Sequence, residues 1–340
     1  MTKSADDKPG ATARLAKSLG GSQRLLHVAA TVFSLSILGL SLFVLFRTFS
    51  SVHWTDLRTA LERTGWDQIS MACLLTSCSY LALTGYDAVA QRQLKLKVPL
   101  RRTALASFTS YAISFTLGFP LITGGTVRYW IYSQSGLSAG KVANLTIVAG
   151  ITFWLGMGLV IGVALVVDPA GIADINHFQT WINVLLGLAT LSLLAGWLAW
   201  VSGRRRHIRV QGVGLDLPGF RLTVAQMALG VVDLSAASGT LYALLPRGAS
   251  MHFLDFAGVY AFASLLGIAS NAPGGLGAFE VTLLHAVPAP SPEGVIASLL
   301  MFRVVYYLLP FVLALAILGA HEIVRRWASL RADFDASEDD

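Results

Sequence analysis

The chain has 340 residues, of which 54% are hydrophobic and 13% are charged, whereas soluble domains carry about 25% charged residues. This composition excludes an ordinary soluble domain and indicates that most of the chain lies in a bilayer. The net charge of +6 comes from basic residues in short segments beside apolar runs, so it indicates membrane topology and no nucleic-acid partner.

Six apolar runs are the main predicted elements, and each approaches or exceeds the ~20 residues that a spanning helix needs. They cover residues 28–46, 69–90, 142–167, 181–201, 222–245 and 295–319. A polar, basic stretch, residues 1–27, precedes the first run without a cleavage signal and predicts a cytoplasmic N-tail. The connections are short, so we expect no soluble catalytic domain within these residues.

The charges of the loops predict the orientation of the runs. Residues 92–102 hold five basic residues and no acid, and residues 204–209 hold four arginines. Residues 168–180 hold two acids and no base. Because short basic loops resist translocation, the first two loops are predicted to be cytoplasmic and the third external, with both termini, including the C-tail 321–340, in the cytoplasm.

Two further apolar segments, 104–135 and 253–287, must each return to the side from which they start, given this orientation. Residues 104–135 are predicted to enter from the cytoplasm and residues 253–287 from outside. The predicted fold is therefore all-α, with six full spans plus two oppositely oriented re-entrant helical hairpins. Ten full crossings are the alternative that the sequence leaves open.

An internal repeat relates the two hairpins. The matched pairs, at a constant offset of 149, are Tyr111-Ala112 with Tyr260-Ala261 and Leu117-Gly118 with Leu266-Gly267. Each half reads span, span, hairpin, span, and the halves start on opposite faces. The sequence thus predicts an inverted repeat of residues 28–167 and 181–320, an arrangement found in secondary transporters.

Glycines and a proline predict a broken helix in each hairpin. Asn271, Pro273, Gly274, Gly275 and Gly277 lie in one ten-residue run, where proline removes a backbone donor and glycine permits positive φ. Residues 123–126, with Gly124 and Gly125, predict the same geometry in the first hairpin. Free N–H groups at such breaks are candidate ligands for a lipid phosphate; a tight helix–helix turn is the alternative.

Five charged residues fall within or near the apolar segments, where a central charge costs ~3 kcal/mol. They are Asp87, Arg128, Asp233, Glu280 and Arg303. Arg128 is a candidate phosphate partner, Asp233 lies about mid-span, and Glu280 and Arg303 are predicted to pair. Asp87, near the cytoplasmic end, is expected to be the least involved in ligand binding.

Two motifs, one in the segment 253–287 and one in the last apolar run, resemble those of the lysylphosphatidylglycerol synthase transmembrane family. Pro273-Gly274-Gly275-x-Gly277-x-Phe279-Glu280 matches one of its motifs, and Arg303-x-x-x-Tyr307-x-x-Pro310 matches another. The first hairpin departs from the family pattern at residues 119–125. The resemblance adds Tyr307 to the candidate lipid-binding residues and implies a stand-alone, flippase-like member without the synthase domain.

These patterns predict a phospholipid translocase that moves an anionic or aminoacylated lipid across the bacterial inner membrane, and no enzyme. The alternatives are a scaffold or regulator of a lipid synthase, and an integral-membrane enzyme with Asp233 or Glu280 as general base. The expected partner is a membrane phospholipid, with a lipid synthase and a homo-oligomer as further options. No cofactor or metal site is expected, because no metal-ligand spacing or nucleotide-binding motif is present.

Overall fold

The computed structural model describes residues 64–118, 120–203, 207–210, 213–216, 218–270 and 277–338. The predicted N-tail and first apolar run lie outside the described residues. So do four candidate site residues, Asn271, Pro273, Gly274 and Gly275.

The described part of the chain is helical apart from one short hairpin. Its helices are α1 (Trp66–Gln93), α2 (Leu100–Leu117), α3 (Pro120–Ser133), α4 (Ala139–Val167), α5 (Pro169–Asn176), α6 (Thr180–Gly203), α7 (Phe220–Leu244), α8 (Phe253–Ala269), α9 (Ala278–Ala286), α10 (Pro292–Phe302) and α11 (Leu309–Glu338). A π-helix (Arg303–Leu308) joins α10 to α11.

Five of these segments are long and apolar enough to cross a membrane: α1, α4, Thr180–Ser202 in α6, α7, and Pro292–Ile323, which runs from α10 into α11. They coincide with the second to sixth predicted apolar runs, so these five predictions are confirmed. The prediction succeeds because length and apolarity are local properties that the bilayer imposes on each segment. The chain is therefore a multi-pass, helical membrane protein.

One element was not predicted, an antiparallel hairpin between α6 and α7. Strand β1 (His207–Val210) pairs with strand β2 (Val213–Asp216), with Val210 opposite Val213. It lies in the segment predicted to be a polar cytoplasmic loop.

The first hairpin breaks at a different place from the one predicted. Helix α2 ends at Leu117, Gly118 has a φ of +82°, and α3 begins at Pro120. Proline fits the first helical turn, where its missing N–H would have had no partner. Helix α3 then runs through Gly124 and Gly125 without a break, so the prediction of free N–H groups at those two residues was wrong.

The second hairpin has helices on both sides of its predicted break. Helix α8 ends at Ala269, and α9 begins at Ala278 behind Gly277, whose φ of +94° favours glycine.

The core lies where α7 packs against α1 and α4. Of the five candidate spans, α7 is the most enclosed. At its crossing with α4, a Cβ atom built on Gly230 would lie 2.6 Å from the Cα atom of Gly156. The two backbones therefore touch directly, as small residues permit between membrane helices.

Candidate functional site

A cavity of about 580 Å³ lies among the two hairpins and the spans beside them. Its walls come from α1, α2, α3, α4, α7, α8, α9 and the π-helix. Most lining side chains are apolar. The polar and aromatic-hydroxyl lining residues are Tyr111, Ser114, Arg128, Thr146, Asp233, Tyr260, Ser264, Tyr306 and Tyr307. Known ligand sites have volumes of roughly 300 to 1,000 Å³ and a few convergent polar groups. This cavity has both features and is therefore the candidate binding site.

One side of the cavity reaches the surface through apolar residues. Leu121, Ile147, Trp154 and Ile268 line the cavity and are nevertheless 65%, 45%, 51% and 45% exposed. They belong to α3, α4 and α8. This side of the cavity is therefore an opening bordered by exposed apolar side chains.

Arg128 extends into the cavity but is paired with a carboxylate. Its Nε donates to both oxygens of Asp87, at 3.3 and 3.0 Å, and its Nη2 donates to Oδ1 at 2.9 Å. The Tyr132 hydroxyl also donates to Asp87, at 3.0 Å, and the guanidinium carbon lies 4.5 Å from the centre of the Tyr111 ring. Both charged side chains are almost completely buried. The pair brings a guanidinium to the cavity with no net charge.

Gly124 makes room for this guanidinium. A Cβ atom at Gly124 would lie 3.2 Å from Nη1 of Arg128 and 3.4 Å from Oγ of Ser114. Its observed role is thus close packing inside a continuous helix. A Cβ atom at Gly125, one residue later, would have Thr146 as its nearest neighbour, at 3.8 Å. Neither glycine is among the lining residues of the cavity.

Asp233 lines the cavity and is 4% exposed. Its carboxylate accepts a hydrogen bond from the Ser79 hydroxyl at 2.5 Å and one from the Tyr86 hydroxyl at 2.9 Å. The Ser79 hydroxyl is in turn 2.8 Å from the Tyr306 hydroxyl. Two hydroxyl groups of α1 therefore bond to the carboxylate directly, and the Tyr306 hydroxyl of the π-helix is connected to it through Ser79.

The predicted ion pair between Glu280 and Arg303 is present. Arg303 Nε donates to Glu280 Oε1 at 2.7 Å, and Arg303 Nη2 also bonds to this oxygen. The other carboxylate oxygen accepts from the backbone N–H of Gly277 at 2.7 Å, at the start of α9. Both side chains are about 20% exposed. The pair ties α9 to the π-helix, beside the lining residues Phe279 and Tyr307.

The π-helix positions two tyrosines at the cavity, and the sequence predicted only one of them. Tyr306 and Tyr307 both line the cavity, although only Tyr307 was predicted. Pro310 lacks the N–H that an α-helix would donate to the carbonyl of Tyr306, and this carbonyl accepts a bond from the Tyr80 hydroxyl at 3.3 Å. The wider turn is typical of functional sites, and Pro310 was its signal in the sequence.

The residues of the internal repeat meet in the cavity. Tyr111 and Tyr260, and also Gly118 and Gly267, are separated by 149 positions, and all four line it. The repeat was therefore a signal for Tyr111 and Tyr260, which were not named as candidate site residues. Of the residues that were named as candidates, Arg128, Asp233 and Tyr307 line the cavity. Gly277, Glu280 and Arg303 lie next to the cavity wall.

A comparison with known protein families identifies the family of the chain. The model of the lysylphosphatidylglycerol synthase TM region matches residues 29–314, which is most of the chain. The chain belongs to the lysylphosphatidylglycerol synthase transmembrane family. In the described part of the chain, this family member has no cluster of three or more His, Cys, Asp or Glu residues that could hold a metal ion.

Relatives of two kinds are found. The chain is 30% identical over 304 residues to the uncharacterised protein slr0712 of Synechocystis, covering 94% of that protein. It is 28% identical over 271 residues to the inner membrane protein YbhN of Escherichia coli, covering 83% of it. It is 23% identical over 298 residues to the phosphatidylglycerol lysyltransferase of Staphylococcus xylosus, of which it covers only 34%. The family region thus occurs both in chains of this length and within a much longer protein.

Proposed function

We propose that this family member is a phospholipid translocase, a flippase-like transporter that moves an anionic or aminoacylated lipid across the bacterial inner membrane. The observation that carries the proposal is a cavity with buried charged groups on one side and an apolar opening toward hydrocarbon on the other. A phospholipid has this same division between a charged head group and apolar chains. The proposal includes no covalent step.

The positions of the lining residues suggest how a lipid occupies the cavity. The head group lies against Arg128, Asp233 and Tyr307, where hydrogen-bonding groups replace its water. The acyl chains leave between Leu121 and Trp154, whose exposed apolar side chains border the opening. Only the polar part of the lipid then crosses the protein interior, and the chains stay in hydrocarbon throughout.

The repeat supplies a mechanism for moving the head group between leaflets. Because equivalent tyrosines and glycines of both hairpins line one cavity, the proposal places the site at the interface of two inverted repeats. Six spans and two re-entrant hairpins, with both termini in the cytoplasm, complete this topology. Movement of one repeat against the other exposes such a site alternately to each leaflet.

The Glu280–Arg303 pair is proposed to close one end of the cavity. It is partly exposed on one side and adjoins the lining residues Phe279 and Tyr307 on the other. Separation of the two charges releases α9 from the π-helix, and both segments contribute to the cavity wall. The pair is therefore placed where a small helix movement changes access.

The relatives support the location and give a second candidate function. YbhN is named as an inner membrane protein, which supports the same membrane for this chain. The lysyltransferase, whose name specifies phosphatidylglycerol, contains the matched region in about a third of its length. This favours, as the second candidate, a chain that binds a separate lipid synthase and presents lipid to it.

A leaflet assay tests the translocase proposal. The purified protein is reconstituted into liposomes with fluorescent phosphatidylglycerol or phosphatidylethanolamine, and the label reachable from outside is quenched over time. We expect faster loss of the inner-leaflet signal than in empty vesicles. Ser264→Trp, which places a large side chain at a lining residue, should slow it, while Leu193→Trp, at a 75% exposed residue of α6, should not.

Wild-type vesicles that scramble neither lipid faster than empty ones would refute the translocase. Copurification with a lipid synthase, combined with unchanged rates in Ser264→Trp, would favour the second candidate.

A further inference from the structure

Asp233 differs from the other carboxylates at the cavity in its partners. Asp87 and Glu280 are each bonded to an arginine, whereas Asp233 accepts hydrogen bonds from the hydroxyls of Ser79 and Tyr86. Hydroxyls are neutral and offset only part of the cost of removing a carboxylate from water. A buried acid without a cation therefore takes up a proton.

Among the residues that the structure describes, no positively charged side chain is bonded to Asp233. The ionisable side chains that face it come from α1, α2, α8 and the π-helix, and they are Tyr80, Tyr86, Tyr111, Tyr260 and Tyr306. Of the other helices packed against α7, α4 has one charged residue, Lys141, and α10 has one, Glu293, both exposed near the helix start. Described residues of α6 carry no charge.

Arg128 is the one basic residue among the described residues that line the cavity. The carboxylate of Asp87 neutralises its charge. Two guanidinium nitrogens bond to the Asp87 carboxylate, so this pair contributes no net charge. The polar wall of the cavity thus has one fixed charge, that of Asp233 when it is ionised. A cationic group, or a proton, neutralises it.

Asp233 is also accessible to a proton from the cavity. It lines the cavity itself, and the Tyr306 hydroxyl, which lines it as well, is hydrogen-bonded through Ser79 to Oδ1 of Asp233. A proton therefore reaches or leaves the carboxyl group without crossing packed apolar residues.

We propose that Asp233 is a proton-binding site that exchanges its proton for the cationic amino group of a bound lipid. The inference rests on the proposed function, because it takes the lipid cavity as given. In the empty cavity the carboxyl group holds a proton. When an ammonium group enters, the O–H bond breaks, the proton passes to water, and the carboxylate pairs with the ammonium. The ammonium thus takes the place of the released proton at the carboxylate, and the charge of the proton leaves with it into water.

Two consequences follow from competition for one carboxylate. Binding of an amino lipid releases about one proton per lipid, and at low pH the affinity falls about tenfold per pH unit. A lipid that lacks an amino group cannot displace the proton. Movement of the amino lipid through the cavity is consequently coupled to proton movement in the opposite direction.

Calorimetry on the full-length protein in nanodiscs tests this exchange. Short-chain phosphatidylethanolamine is titrated in buffers of different ionisation enthalpy, so that the dependence of the measured heat on the buffer gives the protons released. Short-chain phosphatidylglycerol is the second probe. We expect about one proton released for the first lipid and none for the second.

Three variants assign the proton to its source. Asp233→Asn should bind without releasing a proton, and Asp233→Glu should restore the release. Asp174→Asn, at an exposed acid of α5, should behave as wild type. If Asp233→Asn does not fold, the absence of proton release from the wild type still overturns the exchange.

Binding of phosphatidylethanolamine by the wild type without proton release overturns the exchange and leaves the translocase standing. Undiminished release from folded Asp233→Asn also overturns it. Binding of neither lipid refutes the proposed function itself, and the exchange with it.

Discussion

Replacing Arg128 by glutamine tests the buried ion pair on which one wall of the cavity depends. The change removes three donor contacts to Asp87, at 3.3, 3.0 and 2.9 Å, and leaves only the Tyr132 bond at 3.0 Å in place. Asp87 has no exposed surface, so its charge cannot be solvated in the native fold. Breaking a buried pair from one side costs about 3 to 5 kcal/mol. Because Tyr132 remains and the glutamine amide can replace one donor, we expect about 3 kcal/mol, at the lower end of that range.

The double variant Asp87→Asn/Arg128→Gln separates the lost pair from lost packing. Two neutral amides no longer leave a buried charge, so the double variant should be more stable than the sum of the single changes by about 2 kcal/mol. Reversible unfolding in mixed detergent micelles, followed by circular dichroism, measures both quantities. A loss below about 1 kcal/mol for Arg128→Gln, the range of an exposed pair, or strict additivity in the double variant, would show that the pair does not stabilise the fold.

Three further substitutions test individual backbone features by the same unfolding measurement. Gly230→Leu should destabilise the protein by about 1 to 3 kcal/mol or more, since its Cβ atom would lie 2.6 Å from the Cα atom of Gly156; Gly196→Ala, with nothing within 4 Å, is the control and should have little effect. Gly277→Ala should cost about 1 to 2 kcal/mol because its φ is +94°, and an unchanged stability would contradict the positive φ. Tyr80→Phe removes the donor to the carbonyl freed in the π-helix and should cost about 1 kcal/mol; a neutral result would mean that this carbonyl needs no partner.

The spans were predictable because each one depends on its own residues. A run of apolar side chains meets the bilayer wherever it folds, so 142–167 and α4 agree closely. The Glu280–Arg303 pair was predictable for a related reason, since its residues are 23 positions apart on adjacent elements. The partner of Arg128 was not, because α1 and α3 meet only in the tertiary fold.

The wrongly predicted break in the first hairpin shows that a pair of glycines does not determine whether a helix breaks. Gly124 and Gly125 allow positive φ, but they equally allow a bulky neighbour to approach a regular helix, and Arg128 does so at Gly124. The deciding signal was Gly118 followed closely by Pro120, a residue that suits a helix start. The β-hairpin was not predicted because the charges of this segment indicate a polar loop, and charge alone does not show that two short segments pair as strands.

In the proposed function, the opening bordered by Leu121, Ile147, Trp154 and Ile268 makes the hydrocarbon of the membrane continuous with the interior of the protein. Fatty-acid length and unsaturation would then affect transport, because they determine what fills the space between these side chains. An extract in detergent replaces that content with alkyl tails. Comparisons of lipid transport between variants therefore require one fixed bilayer composition.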